Sequence, residues 1–166
     1  MTPVRVRPAL PADLAAMAKM AAKLVAQHHA ADARRFFLPD EVERGYQRWF
    51  GQELRSPTAV LRVAERGAEP VGYAYARLEE RDWNALLDAC GALHDLFVEE
   101  SARGAGVGQA LLDNVLAALT ALGAPRVVLH TMTANHAAQR LFARAGFRTT
   151  MLEMTRELSE GLAPND

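Results

Sequence analysis

The sequence predicts a single α/β domain (α+β by some schemes), a mixed sheet covered by about four helices. Three observations carry that class. Short apolar runs of strand length alternate with longer segments whose apolar residues recur at helical spacing. The 166 residues suit one core, because single domains usually run ~100–200 residues and bury roughly 70% of their extended surface at this size. No repeat, linker or low-complexity tract interrupts residues 1–158, expected to form one domain, and only residues 159–166 read as a polar tail.

The elements follow in order. Val4 and Val6 alternate with Arg5 and Arg7 before Pro8, a short half-buried strand. Leu14, Met17, Ala18, Ala21, Leu24, Val25 and His28 then share one face of a helix over about 11–29. Asp40 followed by Glu43 has the form of a capping box for a second helix, on which Val42, Tyr46, Trp49, Phe50 and Leu54 align. Residues 58–65 and the run VGYAYARLE form a hairpin about the turn RGAEP, and an irregular connection over 81–91 leads to the strand LHDLFVE at 93–99. After ESARGAGVG comes a helix carrying Leu111, Leu112, Val115, Leu116, Leu119 and Leu122, closed by Gly123 with Pro125 beyond. RVVLHT is expected as a buried strand, and Ala138, Leu141, Phe142 and Ala145 mark a short helix over about 135–145 that Gly146 ends. FRTTMLEMTREL is expected to supply a last strand or pair of strands.

Composition narrows the function. Hydrophobic residues make up 50% and charged residues 23%, the balance of a folded chain. The net charge is −1, with 19 basic against 20 acidic residues, so a nucleic acid is not expected as a partner and any anion must be gripped locally. Cys90 is the only cysteine, which excludes an internal disulfide and a cysteine-rich zinc site; no metal is expected. The N-terminus lacks the apolar stretch of a signal peptide, and no segment approaches the ~18–20 apolar residues of a membrane span. A soluble, cytoplasmic chain with no membrane partner is the expectation.

The most informative stretch is Arg103-Gly104-Ala105-Gly106-Val107-Gly108, between a strand and a long helix. Glycines let backbone amides approach a ligand closely, and a helix N-terminus adds unpaired N–H groups and the positive end of its dipole, a combination suited to phosphate. It is neither of two common phosphate loops. A dinucleotide fingerprint needs a third glycine where Gln109 stands, and a Walker A loop needs Lys-Ser/Thr after Gly108, where Gln109 and Ala110 follow.

LFVEESARGAGVGQALL resembles the cofactor motif of the GNAT superfamily of acyl-CoA N-acyltransferases, R/Q-x-x-G-x-G/A at the start of the third helix. Downstream, Asn135, Ala138, Leu141, Gly146 and Phe147 are similar to the family's last helix and strand, so the resemblance spans residues 4–158. It implies a strongly twisted mixed sheet of about six to seven strands, with the fourth and fifth splayed apart to admit pantetheine. It also implies acetyl-CoA as acyl donor and a small-molecule or protein amine as acceptor. By the same resemblance, backbone groups of Leu96, Phe97 and Val98 would pair with pantetheine. The amides of Arg103, Gly104, Ala105, Gly106, Val107 and Gly108, with Gln109, would hold the pyrophosphate, the Arg103 side chain would add charge there, and Asn135 would contact pantetheine or cap its helix. Many members dimerise through the sheet edge or C-terminal strands, which is the ground for expecting a homodimer.

Transfer requires a neutral amine, and amines of pKa near ~10 are mostly protonated at pH 7, so a base must act. His94 and Asp95 are the candidates, with Glu99 and Glu100 further on. In the polyamine-acetylating branch two adjacent acids stand here, and His94 replaces the first. Alternation puts His94 and Asp95 on opposite faces of a strand unless a bulge intervenes. The backbone N–H of Val98 is the expected donor to the thioester oxygen. The first two helices shape the acceptor side in the family, and here they hold Phe36, Phe37, Tyr46 and Trp49 among Arg34, Arg35, Asp40, Glu41 and Glu43. One departure is Phe142, where the family often has a tyrosine that protonates the departing thiolate. It motivates a second reading, a catalytically weak acyl-CoA-binding sensor or regulatory module.

Overall fold

A computed structural model describes residues 3–158, and the polar tail expected over 159–166 lies outside them. In chain order the elements are β1 (Val4–Pro8), α1 (Leu14–Ala31), α2 (Val42–Glu53), β2 (Ala59–Arg66), β3 (Glu69–Glu79), β4 (Cys90–Val98), α3 (Val107–Ala121), β5 (Val127–Leu129) and α4 (His136–Arg144). The described residues fall into two compact units. The first comprises those up to Ala22 with Glu41–His130, the second Lys23–Asp40 with those from Thr131 on.

The first unit is built on one sheet in the order β1-β2-β3-β4-β5, antiparallel except for the parallel β4/β5 pair. Its central strand β3 is buried without a break from Val71 to Ala76, as a strand covered on both faces must be. On one face lies α3, through Val107, Leu111, Leu112, Val115 and Leu119, all buried. Two glycines set its approach: a Cβ on Gly91 would stand 2.9 Å from Leu119 Cδ1, and one on Gly72 would stand 3.2 Å from Leu111 Cδ1 and 2.8 Å from the Phe97 carbonyl. Gly123, at φ +87°, closes α3, with its own N–H on Thr120 and that of Ala124 on Leu119. The opposite face takes the Tyr73 and Tyr75 side chains, against which Phe50 and Trp49 of α2 pack.

A charged clamp ties the first strand to the turn before α1. Arg7 donates twice to Asp13, at 2.7 and 3.0 Å, and through Nε to Glu65 at 2.8 Å, while the Leu10 N–H donates to Asp13 at 2.7 Å. Asp13 is buried, and the Arg7 guanidinium holds its carboxyl below the ordinary range, helped by Leu10.

Four expectations need correction. The sheet has five strands among the described residues rather than six to seven. The segment expected to supply the rest, FRTTMLEMTREL over 147–158, has no helix or strand, and Met151 and Met154 are exposed. Alternation of apolar residues is only a local signal, and a strand forms where a neighbouring edge supplies its hydrogen-bond partners. The RVVLHT strand is three residues long and half-buried. Asp40 does not cap α2, whose N-cap is Glu41 in the left-handed region at φ +50° with no side-chain cap bond.

In the second unit, α4 is opened by Asn135, whose Oδ1 accepts from the Ala138 N–H at 3.1 Å, and is followed by Gly146 at φ +90°. Phe142 is buried and meets Phe147 edge to face, with 5.9 Å between centroids.

Candidate active site

The site grows from the divergence of β4 and β5. Their pairing runs only from Gly91↔Val127 to Leu93↔Leu129, so beyond Leu93 the β5-side edge of β4 has no strand beside it among the described residues. The Glu99 N–H donates to the Val71 carbonyl at 2.9 Å, which fixes the alternation back along the β3/β4 ladder. Phe97 is therefore paired with Tyr73, while the N–H and C=O groups of Leu96 and Val98 face outward. Of the three residues expected to pair with an extended ligand, Leu96 and Val98 have backbone groups directed away from β3, and the Val98 carbonyl accepts from Arg103 Nε. Phe97 instead anchors the strand with a buried ring.

At the end of this edge stands the glycine loop. Gly104 and Gly106 adopt φ +77° and +78°, a region that L side chains enter at a cost, and no atom lies within 4 Å of where a Cβ would project. Backbone conformation, not packing, calls for glycine here. The first helical bond runs from the Ala110 N–H to the Gly106 carbonyl, and no side chain caps the amides before it. Gly104, Ala105 and Gly106 are exposed and lead into the positive end of the α3 dipole. This cradle fits a phosphate-bearing ligand. Two expected contributions are directed elsewhere. The Arg103 N–H donates to Glu100 and its Nε to the Val98 carbonyl at 3.0 Å, while the Gln109 amide donates to Asp113 at 2.8 Å. The polar groups the loop leaves open are thus backbone amides from Gly104 to Gly108.

Further down β4 a bulge decides where the two candidate bases point. Asp95 pairs with Tyr75 and Leu93 with Ala76, which leaves His94 as the extra residue. Both side chains consequently lie on the Tyr73/Tyr75 face. The His94 ring stacks on Tyr75, 5.3 Å between centroids and 22° between planes, and the Tyr73 hydroxyl donates to Asp95 Oδ2 at 3.0 Å. His94 Nε2 is 2.9 Å from Glu79 Oε1. An ionised carboxylate only accepts, so Nε2 is the donor, and in the neutral ring the lone pair is on Nδ1.

Around them, Tyr75 donates to Glu53 at 2.7 Å and Arg77 to the same oxygen at 3.3 Å. Trp49 meets Tyr75 edge to face at 4.7 Å, and Tyr46 meets Trp49 at 5.7 Å. Burial, with the Asp95 charge second, pushes the Tyr46 phenol up to about 12 and the Tyr73 phenol well above its ordinary value, so both remain donors at neutral pH. Sequence reasoning passed over Tyr73, Tyr75, Glu53 and Glu79. The i, i+2 spacing of the two tyrosines signals that they share a face, but nothing local ties Glu79 to a residue fifteen positions later. Glu99 and Glu100 lie past the end of β4. Cys90 is buried at the far end of β4, where burial pushes its thiol up. Among the described residues no group of three or more His, Cys, Asp or Glu could hold a metal ion, and no helix is long and apolar enough to cross a membrane.

A family model described as acetyltransferase (GNAT) family matches residues 23–147. The mycothiol acetyltransferase of Geodermatophilus obscurus is 34% identical over 110 residues, 60% of this chain and 34% of that protein. The chain spans little more than a third of the mycothiol acetyltransferases it matches, 34% and 39%. The D-amino-acid N-acetyltransferase of Saccharomyces cerevisiae is 31% identical over 111 residues, 67% of each chain. Among solved structures, a predicted acetyltransferase from Clostridium acetobutylicum with acetyl-CoA superposes with a TM-score of 0.71 at 15% identity, over 92% of this chain and 96% of that one.

Proposed function

Since the chain belongs to the acetyltransferase (GNAT) family, we propose that it moves an acetyl group from acetyl-CoA to a primary amine by direct attack. The observation that carries this reading is the outward-facing edge of Leu96 and Val98 running into an uncapped glycine cradle. An extended ligand bearing amides and ending in a pyrophosphate matches both parts in order. Acetyl-CoA supplies the activated thioester, and the chain supplies position and proton management.

His94 is the better base of the pair. In its neutral form Nδ1 carries a lone pair, and its side chain is 43% exposed, whereas an oxygen of Asp95 is engaged by the Tyr73 hydroxyl. His94 accepts a proton from the incoming ammonium, while Glu79 orients the ring and stabilises the imidazolium. The outward N–H of Val98 donates to the thioester oxygen. The acceptor side, bounded by Trp49 and Tyr46 with Glu53, Glu79 and Asp95 near Arg77, favours an amine that arrives protonated. The relatives named for mycothiol and D-amino-acid acetylation support a small-molecule acceptor. Both compact units belong to the one transferase domain expected over 1–158. Acetyl-CoA as donor makes the cytoplasm the working compartment.

Phe142, which has no hydroxyl to protonate a departing thiolate, favours a second reading, an acyl-CoA-binding sensor with weak turnover. A thiol-release assay over a panel of amines separates the two. Turnover abolished by His94→Ala with acetyl-CoA binding kept supports the enzyme, and binding without turnover on any amine supports the sensor.

A further inference from the structure

We propose that the chain self-associates by docking the loop between β3 and β4 of one copy into an arginine-lined groove along α2 of another. The proposal is independent of the catalytic reading. Two surfaces on the first unit carry it.

The loop is a rigid, exposed apolar knob. Trp83 and Leu86 are 74% and 87% exposed. Asp82 and Leu87 exchange backbone bonds at 2.9 and 3.0 Å across the loop, Asp82 Oδ1 accepts from the amides of Asn84 and Ala85, and Arg81 pairs with Asp88 at 2.9 Å. Leu86 is held at φ +50°, a left-handed conformation unfavourable for leucine. Strain of this kind persists only where the surroundings over-determine it, and here it holds a large apolar side chain out into water. A preorganised tryptophan and leucine on a short loop have the character of a binding anchor.

The groove is complementary in charge. It is shallow and open, holds Leu14 and Gly51 between Gln47 and Gln52, and is flanked by Arg44, Arg48 and Arg55, with no acid in its lining. Arg44 makes one long ion pair with Glu41, and no ion pair is found for Arg48 or Arg55 among the described residues. The loop presents three acids, Glu80, Asp82 and Asp88, against the single base Arg81. Knob and groove are neighbours on one copy, since Glu53 at the end of α2 bonds Tyr75 and Arg77 of β3, and Thr58 accepts from Leu78 just before the loop. Adjacent complementary surfaces let a two-fold axis close the pair, each knob entering the other copy's groove.

Sedimentation velocity over a micromolar concentration series tests this. Wild type is expected to dimerise, more weakly at high salt. Trp83→Ser and Arg48→Glu are each expected to weaken dimerisation by tenfold or more. An equimolar mixture of the two regains a dimer, because one intact knob meets one intact groove. Leu86→Ser and Arg55→Glu repeat the experiment should either first variant lose its thermal transition. Wild type monomeric throughout, or a dimer indifferent to the loop or to the groove variant, would overturn the proposal. The indifferent dimer would belong to another surface, such as the exposed segment 148–157.

Discussion

His94 lies stacked on Tyr75 while its neighbour Asp95 is bonded by Tyr73, so two consecutive strand residues serve the same face of the sheet. A regular strand forbids this. One unpaired residue in β4 allows it and collects an imidazole, a carboxylate and two phenols at the place where β4 leaves β5.

From that arrangement His94→Ala should lower kcat by about 10²–10⁴, the usual contribution of a positioned base. Glu79→Gln should cost less, about tenfold, because it keeps the shape but not the charge that holds the imidazolium. Steady-state kinetics on any accepted amine checks both. Equal losses for the two variants would mean that they act as one unit, and no loss for either would remove His94 as the base.

The glycine cradle predicts a different kinetic signature. Gly104→Ala and Gly106→Ala meet no neighbouring atom but force alanine to φ near +78°, at about 1–2 kcal/mol each. If the amides are the grip, KM for acetyl-CoA should rise while kcat holds. Isothermal titration with CoA separates this loss from unfolding.

Tyr73→Phe removes the phenol that donates to Asp95 from the buried end of Tyr73. The expected cost is about 0.5–1.5 kcal/mol in urea unfolding, the net worth of one hydrogen bond.

Much of this architecture was legible in the sequence, and the part that was not has one physical character. The glycine loop, the Asn135 cap and the Gly123 stop are local devices, visible because each is decided by residues a few positions apart. The bulge is not local, since it exists only as a mismatch between Tyr75–Ala76 and Leu93–Asp95 and no single strand records it. The Glu79–His94 pair and the turn of Arg103 toward Val98 follow from register in the same way. The last strands failed for the converse reason, since the local composition of the segment cannot report that it enters no ladder among the described residues.

Stability should carry a pH signature from Asp13. Its carboxyl is lowered by the Arg7 guanidinium, with the Leu10 N–H assisting. A group depressed in the folded state stabilises fully above its unfolded value, near pH 4 for aspartate, and loses that contribution as pH falls through the folded value. Asp13→Asn should therefore cost about 1–3 kcal/mol at pH 7. The gap from wild type should close below about pH 4. Urea titrations at the two pH values measure it, and a gap independent of pH would mean that the clamp acts by shape alone.

Cys90→Ala should retain near-wild-type turnover, because a buried thiol with a raised pKa is a poor nucleophile. Abolished turnover with intact CoA binding would point to an acyl-cysteine step instead.

The open edge of β4 has a consequence for the chain's behaviour in a crowded solution. Unpaired strand edges recruit stray strands and seed aggregation. This one is short: β5 closes it as far as Leu93, the bulge at His94 breaks its register, and the Arg103 side chain occupies the Val98 carbonyl. Between those stops only about three residues remain, roughly 10 Å at strand rise, less than the five or six residues of an ordinary strand. The slot is long enough for a small molecule with a pair of amides and too short for another polypeptide to take hold.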